Sequence, residues 1–235
     1  MSDDHVFDYS GTELATLAGA VNYHRWIIST IRPYLGDTIV EVGAGIGSFS
    51  ALLLETSPRR LVAFEPSRNL FPLLVGGVGR DERVQPINDV FKPNYLPDGA
   101  DSLLYVNVLE HIEDDRAELG YAFEALRPGG FLVVFSPALQ WLFSDFDRHV
   151  GHYRRYTKAG LIDCVKAVGF RIVEAQYFDL LGIIPWYINF VLLGGHPGRG
   201  RVALYDKLIV PPMQLVESIV PPPIGKNVLL VASKE

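Results

Sequence analysis

The chain has 235 residues, 49% of them hydrophobic and 20% charged, which suits one domain with a substantial core. Its formal net charge of −6 argues against nucleic acid as a partner, since that role needs a basic face. The single cysteine, Cys164, excludes an internal disulfide and a cysteine-rich metal site, and suits a reducing, cytoplasmic compartment.

Residues 1–11 are polar and acidic, unlike a signal peptide. Residues 14–35 carry apolar side chains at helical spacing, closing at Pro33 and Gly36. Residues 38–42 are short, apolar and β-branched, the pattern of a buried strand. A tight glycine turn at 43–47 leads into a helix at 48–55. A second strand, 61–64, ends at Glu65-Pro66, and a helix is expected at 69–75. Residues 84–87 form a weaker strand and 102–108 a strong one, followed by a charged helix at 113–126. Arg127-Pro128-Gly129-Gly130 turns the chain into a strand at 131–135. A helix at 158–168 starts behind Thr157, a good N-cap. Strands at 170–177 and 227–232 complete the set. Between these two lies an apolar insert, 180–223, rich in Pro, Gly and aromatics, with two further candidate helices. The longest apolar run, 177–195, is broken by Gly182, Pro185 and Asn189 and falls short of a membrane span.

Strands alternating with helices imply an α/β fold with a parallel sheet covered on both faces. Ligands of such doubly wound sheets bind at the carboxyl ends of the strands, and four features fall there. The first is Val40 to Gly47, VEVGAGIG. Its glycines permit positive φ and close backbone approach, and they feed a helix N-terminus that favours a negative group. Glu41, inside the strand end, is placed to attract a ligand cation. The second is Glu65, where an acid can hold a ribose diol. The third is Asp89, which can accept hydrogen bonds from an adenine amine or serve as a turn residue. The fourth is Asn107 to His111, NVLEH.

Together, the segments IVEVGAGIGSFS, LVAFEPS, IND, DSLLYVNVLEHIEDD, LRPGGFLVVFSPA and GHYRRYTKAGL resemble a class I S-adenosylmethionine-dependent methyltransferase over residues 39–170. The resemblance implies a Rossmann-like, seven-stranded sheet with an antiparallel last strand. It divides the chain into an N-terminal helical segment (1–37), a cofactor-binding core (38–179), an insert or lid (180–223) and the last strand (224–235). It implies that Glu41, Gly43, Gly45 and Gly47 surround the amino-acid part of S-adenosylmethionine and that Glu65 takes the ribose hydroxyls. Asp89 and Val90 would flank adenine, and Asn107 would lie near the sulfonium. Tyr23 and Arg25 match an N-terminal segment that closes over the cofactor, or else serve packing and a solvated face. GHYRRYT looks most like a bacterial subgroup associated with glycosyltransferases and with cell-envelope or polyprenyl-linked sugars.

Methyl transfer from a sulfonium needs alignment more than activation, and an oxygen or nitrogen acceptor can use a general base. His111 is the first candidate base, with helix capping as its competing role. His152 is the second, within Arg148 to Tyr156, RHVGHYRRY. That cluster follows the fifth strand, where Trp141, Asp145, Tyr153, Arg154 and Arg155 are candidates for the acceptor site. Arginine's planar fork suits a phosphate or carboxylate, but the same residues can pin the loop onto Glu110 or onto backbone carbonyls. Trp141, Phe143 and Phe146 offer an apolar wall. In the insert, Trp186, Tyr187, Phe190, Val191, Leu192 and Leu193 can pack, cover an acceptor, pair two copies or touch a membrane surface. No closely spaced metal-ligand motif is present. The expected activity is O-methylation of a small sugar or lipid-linked acceptor by a monomer or homodimer. A nicotinamide-dependent oxidoreductase is disfavoured by Ser48, which stands where the dinucleotide fingerprint needs its third glycine. A non-catalytic cofactor-binding module is the remaining alternative.

Overall fold

The computed structural model describes residues 8–9, 19–195 and 198–235. In chain order the main elements are α1 (Val21–Ile31), β1 (Thr38–Val42), α2 (Ser48–Leu54), β2 (Arg60–Phe64), α3 (Phe71–Gly77), β3 (Val84–Ile87), β4 (Ala100–Val106), α4 (Asp115–Ala125), β5 (Leu126–Pro137), α5 (Asp145–His149), α6 (Lys158–Val168), β6 (Arg171–Phe178), α7 (Ile183–Trp186), α8 (Arg199–Leu208), α9 (Val210–Ile219) and β7 (Asn227–Ser233). The seven strands form one sheet in the order β3-β2-β1-β4-β5-β7-β6. Strands β1 to β5 pair in parallel, while β7 runs antiparallel to both β5 and β6. This is the Rossmann-like architecture with an antiparallel last strand.

The central strands read as continuous apolar runs because both sheet faces are covered. Val40, Leu103, Tyr105 and Leu132 pack under α4 and α6 in one core. Their strand neighbours Ile39, Leu104 and Val133 point the other way, into a core with α1, α2 and Met213 of α9. The strand directions put the ends of β1, β4, β5 and β6 on the same edge as the start of β7. Residues 179 and 226–227 therefore join the glycine turn there.

Several boundaries differ from expectation for local reasons. α1 spans only Val21–Ile31, followed by a 3₁₀ turn at Arg32–Tyr34; residues 14–18 of the expected helix lie outside the described residues. β4 stops at Val106 because Asn107 adopts φ +55° and donates its backbone N–H to Phe135 O at 2.7 Å. α4 starts after Asp114, whose carboxylate accepts Ala117 N–H. Thr157 caps α6 in the same way, through Gly160 N–H. The insert holds three helical pieces rather than two, since α7 continues into a π-helical run at Tyr187–Leu192.

Candidate active site

A cavity of about 640 Å³ opens along the carboxyl edge of the sheet. Its floor is the first glycine turn and the end of β4: Glu41, Gly43, Gly45, Val106 and Asn107. The turn keeps Gly43, Gly45 and Gly47 at φ +71°, +59° and +84°, a conformation costly for any side chain with a Cβ. Gly47 is the N-cap of α2 and sits just off the cavity lining. Glu41 is 3% exposed, and its hydrogen-bond donor is the Ser50 hydroxyl, at 2.5 Å. Burial, only partly offset by Ser50 and reinforced by nearby Glu65, raises its pKa to about 8.

Besides Gly47, four residues expected at the cofactor face lie off the lining. Glu65 is buried and turned into the backbone, accepting Gly45 N–H at 2.7 Å and Ser67 N–H at 2.8 Å. Asp89 is engaged by the Tyr95 hydroxyl, Val90 N–H and Lys92. Arg25 points to solvent and pairs with Glu55 at 3.4 Å. Tyr23, by contrast, lines the cavity and donates its hydroxyl to Asn227 Oδ1 at 3.1 Å.

The cluster after β5 divides residue by residue. Arg155 is 4% exposed and holds Asp147 through two donors, at 2.9 and 3.1 Å. Its guanidinium also lies 4.4 Å from the centre of the Trp186 ring. Asp147 accepts from Ser144 N–H and Oγ as well, in a capping box that fixes α5. Burial alone would raise its pKa, but the donors of His152, Arg155 and Ser144 hold it below the usual carboxylate range. It also bonds His152 Nδ1 at 2.8 Å. An ionised carboxylate can only accept, so Nδ1 donates to it, and in the neutral ring Nε2 is then the acceptor.

His152 Nε2 lies 4.0 Å from Glu110 Oε1, and the His111 ring stacks edge-on at 4.5 Å. All three residues line the cavity. Glu110 is fully buried, accepts Ser136 Oγ at Oε2, and leaves Oε1 without a hydrogen-bond partner. Burial raises its pKa. Burial, with His152 beside it, pushes His111 down to about 4. Possible ligand atoms of these three residues come within 4.8 Å of one another. Donors about 2 Å from a shared ion lie up to about 4 Å apart, so the three form a group that could hold a metal ion.

The other acceptor candidates point away. Arg154 pairs with Asp115 at 2.6 Å and donates to Glu113 O at 2.7 Å, tying the loop to α4. Tyr153 and Trp141 are 54% and 55% exposed, and exposed Asp145 pairs with Arg148. None of these four lines the cavity.

The insert forms the roof, with Trp186, Phe190, Tyr205 and Ile209 lining it. Beneath it sits a group the sequence reading missed. Asp179, fully buried, accepts the Tyr205 hydroxyl and Gly182 N–H and pairs with Lys226 at 2.7 Å. Lys226 lines the cavity against the rings of Tyr23 and Tyr205. Asp179 follows β6 just as Glu65 follows β2, so the strand-end rule applied to every parallel strand would have found it.

A family model described as a methyltransferase domain matches residues 10–175. No curated protein matches the chain. Among solved structures, an S-adenosylmethionine-dependent methyltransferase from Mesorhizobium loti superposes with TM-score 0.60 at 16% identity, over 93% of this chain and all of that one. Phosphoethanolamine N-methyltransferase 2 of Haemonchus contortus, in complex with phosphomonomethylethanolamine and S-adenosylhomocysteine, gives 0.63 at 14%, over 95% of this chain and 58% of that one. The [4+2]-cyclase SpnF gives 0.60 at 14%, over 91% and 81%. Likeness at this identity establishes the fold and leaves the reaction to the site.

Proposed function

The chain belongs to the methyltransferase domain family, and we propose that it transfers a methyl group from S-adenosylmethionine to an oxygen of a small sugar or lipid-linked acceptor. The observation that carries this reading is one cavity joining the Glu41 glycine turn to the His152–Asp147 pair. Glu41, buried with a hydroxyl but, among the described residues, no basic side chain hydrogen-bonded or ion-paired to it, suits the cationic end of an amino acid. Gly43 and Gly45 let that end approach the backbone. Glu65, already bonded to Gly45 N–H, is assigned to the ribose, Asp89 and Val90 to the adenine edge, and Asn107 to the region of the sulfur.

When bound, S-adenosylmethionine supplies an activated methyl group on a sulfonium. The protein's part is to align an acceptor and take its proton. His152 Nε2 is the acceptor of that proton, while Asp147 steadies the resulting imidazolium and Arg155 keeps Asp147 in place. His111, neutral at ordinary pH, is a second polar contact for the acceptor. The roof residues Trp186 and Phe190 exclude water and suit an apolar portion of the substrate. Membership of the GHYRRYT subgroup, with its polyprenyl-linked and envelope sugars, is part of the same proposal.

Calorimetry with S-adenosylmethionine, S-adenosylhomocysteine and NAD tests the cofactor. Binding of the first two without NAD is expected; binding of NAD alone would turn the reading to an oxidoreductase. Transfer of a labelled methyl group to a panel of free and polyprenyl-linked sugars then tests the base. His152→Ala should lower kcat by about 100-fold or more and leave S-adenosylhomocysteine affinity intact. Unchanged turnover would remove His152 from the chemistry.

A further inference from the structure

The helices of the insert are amphipathic in the wrong sense for a free surface. In α8 and α9 the two acidic residues face inward. Asp206 is 6% exposed and accepts the backbone N–H groups of Asn22 and Tyr23, at 3.1 and 2.8 Å. Glu217 is 8% exposed and accepts those of Asp179 and Leu180, at 3.0 and 2.8 Å. Val210 and Met213 of α9 are buried as well, but four large apolar residues of the two helices are exposed. Leu204 and Leu208 are 60% and 58% exposed on α8; Leu215 and Ile219 are 66% and 74% exposed on α9. Each pair is four residues apart and therefore shares a helix face. Leu192 and Leu193, in the same insert, are 61% and 72% exposed. Soluble monomers seldom leave so many large apolar side chains of one segment exposed without a partner for them.

Charge distinguishes among partners. With its acids buried, the insert shows solvent only the basic side chains Arg199, Arg201 and Lys207 among its described charged residues, in a chain whose formal charge is −6. A two-fold dimer through this face would bring the same basic rim against itself. An anionic lipid surface would instead receive both the leucines and the bases, as interfacial helices require. Among the described residues no helix is long and apolar enough to cross a membrane, so the contact is with the surface. We propose that the outward face of α8 and α9 docks on an anionic lipid bilayer. The same helices line the cavity through Val202, Tyr205 and Ile209, and exposed Leu204 and Leu208 border it as well, so docking would set the roof of the site against the lipid phase. Docking does not depend on which cofactor or acceptor the cavity takes.

The test is co-sedimentation of the whole protein with vesicles of phosphatidylcholine, with and without phosphatidylglycerol. Binding is expected to need phosphatidylglycerol and to weaken with salt. The double variant Leu215→Asp/Ile219→Asp should bind about tenfold more weakly or worse, and Arg199→Glu/Lys207→Glu several-fold more weakly. Both change exposed side chains, and an unchanged melting temperature verifies that they fold; Leu192→Asp/Leu193→Asp is an independent second disruption. The proposal is overturned if the parent stays in the supernatant at every composition, or if the apolar variants bind as the parent does. It is also overturned if light scattering finds a parent dimer, unbound to vesicles, that Leu215→Asp/Ile219→Asp dissociates; the face would then join two copies.

Discussion

The two sides of the cavity handle buried charge in opposite ways. On the glycine-turn side, Glu41 is buried with a hydroxyl and, among the described residues, no basic side chain bonded to it, and its pKa is raised to about 8. On the side built by the β5 loop and the insert, two buried acids meet bases within the protein: Asp147 with Arg155 and His152, Asp179 with Lys226. A buried charge without a cation is costly to the fold and available to a ligand, whereas a compensated network chiefly fixes geometry. The first side therefore suits binding, and the second suits holding an imidazole in one orientation.

The largest effect should come from breaking the compensated side. Arg155→Ala leaves Asp147 buried with its main cation gone, which should cost about 3–5 kcal/mol in urea unfolding. The adjacent Arg154→Ala removes a partly exposed pair with Asp115 and should cost at most about 1 kcal/mol. Equal losses at the two positions would mean that Asp147 is not the keystone of the loop.

That contrast also marks how far the sequence was legible. The rule that ligands sit at strand ends brought Glu41, Gly43, Gly45, Asn107 and His111 to the cavity, whereas Glu65 and Asp89, chosen by the same rule, lie off its lining. The seven strands were legible separately, as apolar runs that follow from burial on both faces. For RHVGHYRRY, type and spacing could not separate Arg154 from Arg155. Their fates depend on α5, a five-residue helix too short to read from periodicity and held by the capping box of Ser144 and Asp147. Consecutive residues here simply face opposite ways, one toward α4 and one toward α5. Likewise Asp179, Tyr205 and Lys226 meet only because β7 is antiparallel and the insert folds back, and no local pattern announces that.

On the binding side, Gly45→Val forces a β-branched residue to φ +59°, a strain of about 1–2 kcal/mol. It should also displace the N–H that anchors Glu65. Affinity for S-adenosylhomocysteine should fall by about tenfold or more by calorimetry. A folded variant with parental affinity would put the cofactor elsewhere.

The test most specific to the comparison is the proton on Glu41. Its folded pKa of about 8 lies above the ordinary 4.5, so the folded state holds this proton more tightly than the unfolded chain. Its contribution to stability is full below pH 4.5 and is lost as the pH rises through 8. In the parent, melting temperature should therefore decline across that window more than in Glu41→Gln, which cannot titrate. A cationic ligand group reverses the preference, because it stabilises the carboxylate. Binding of S-adenosylmethionine at about pH 7 should release a proton, seen as a dependence of the calorimetric heat on buffer ionisation, and Glu41→Gln should abolish the release. If the parent releases no proton, Glu41 does not meet the ligand's cation, and the difference between the two sides would be one of burial alone.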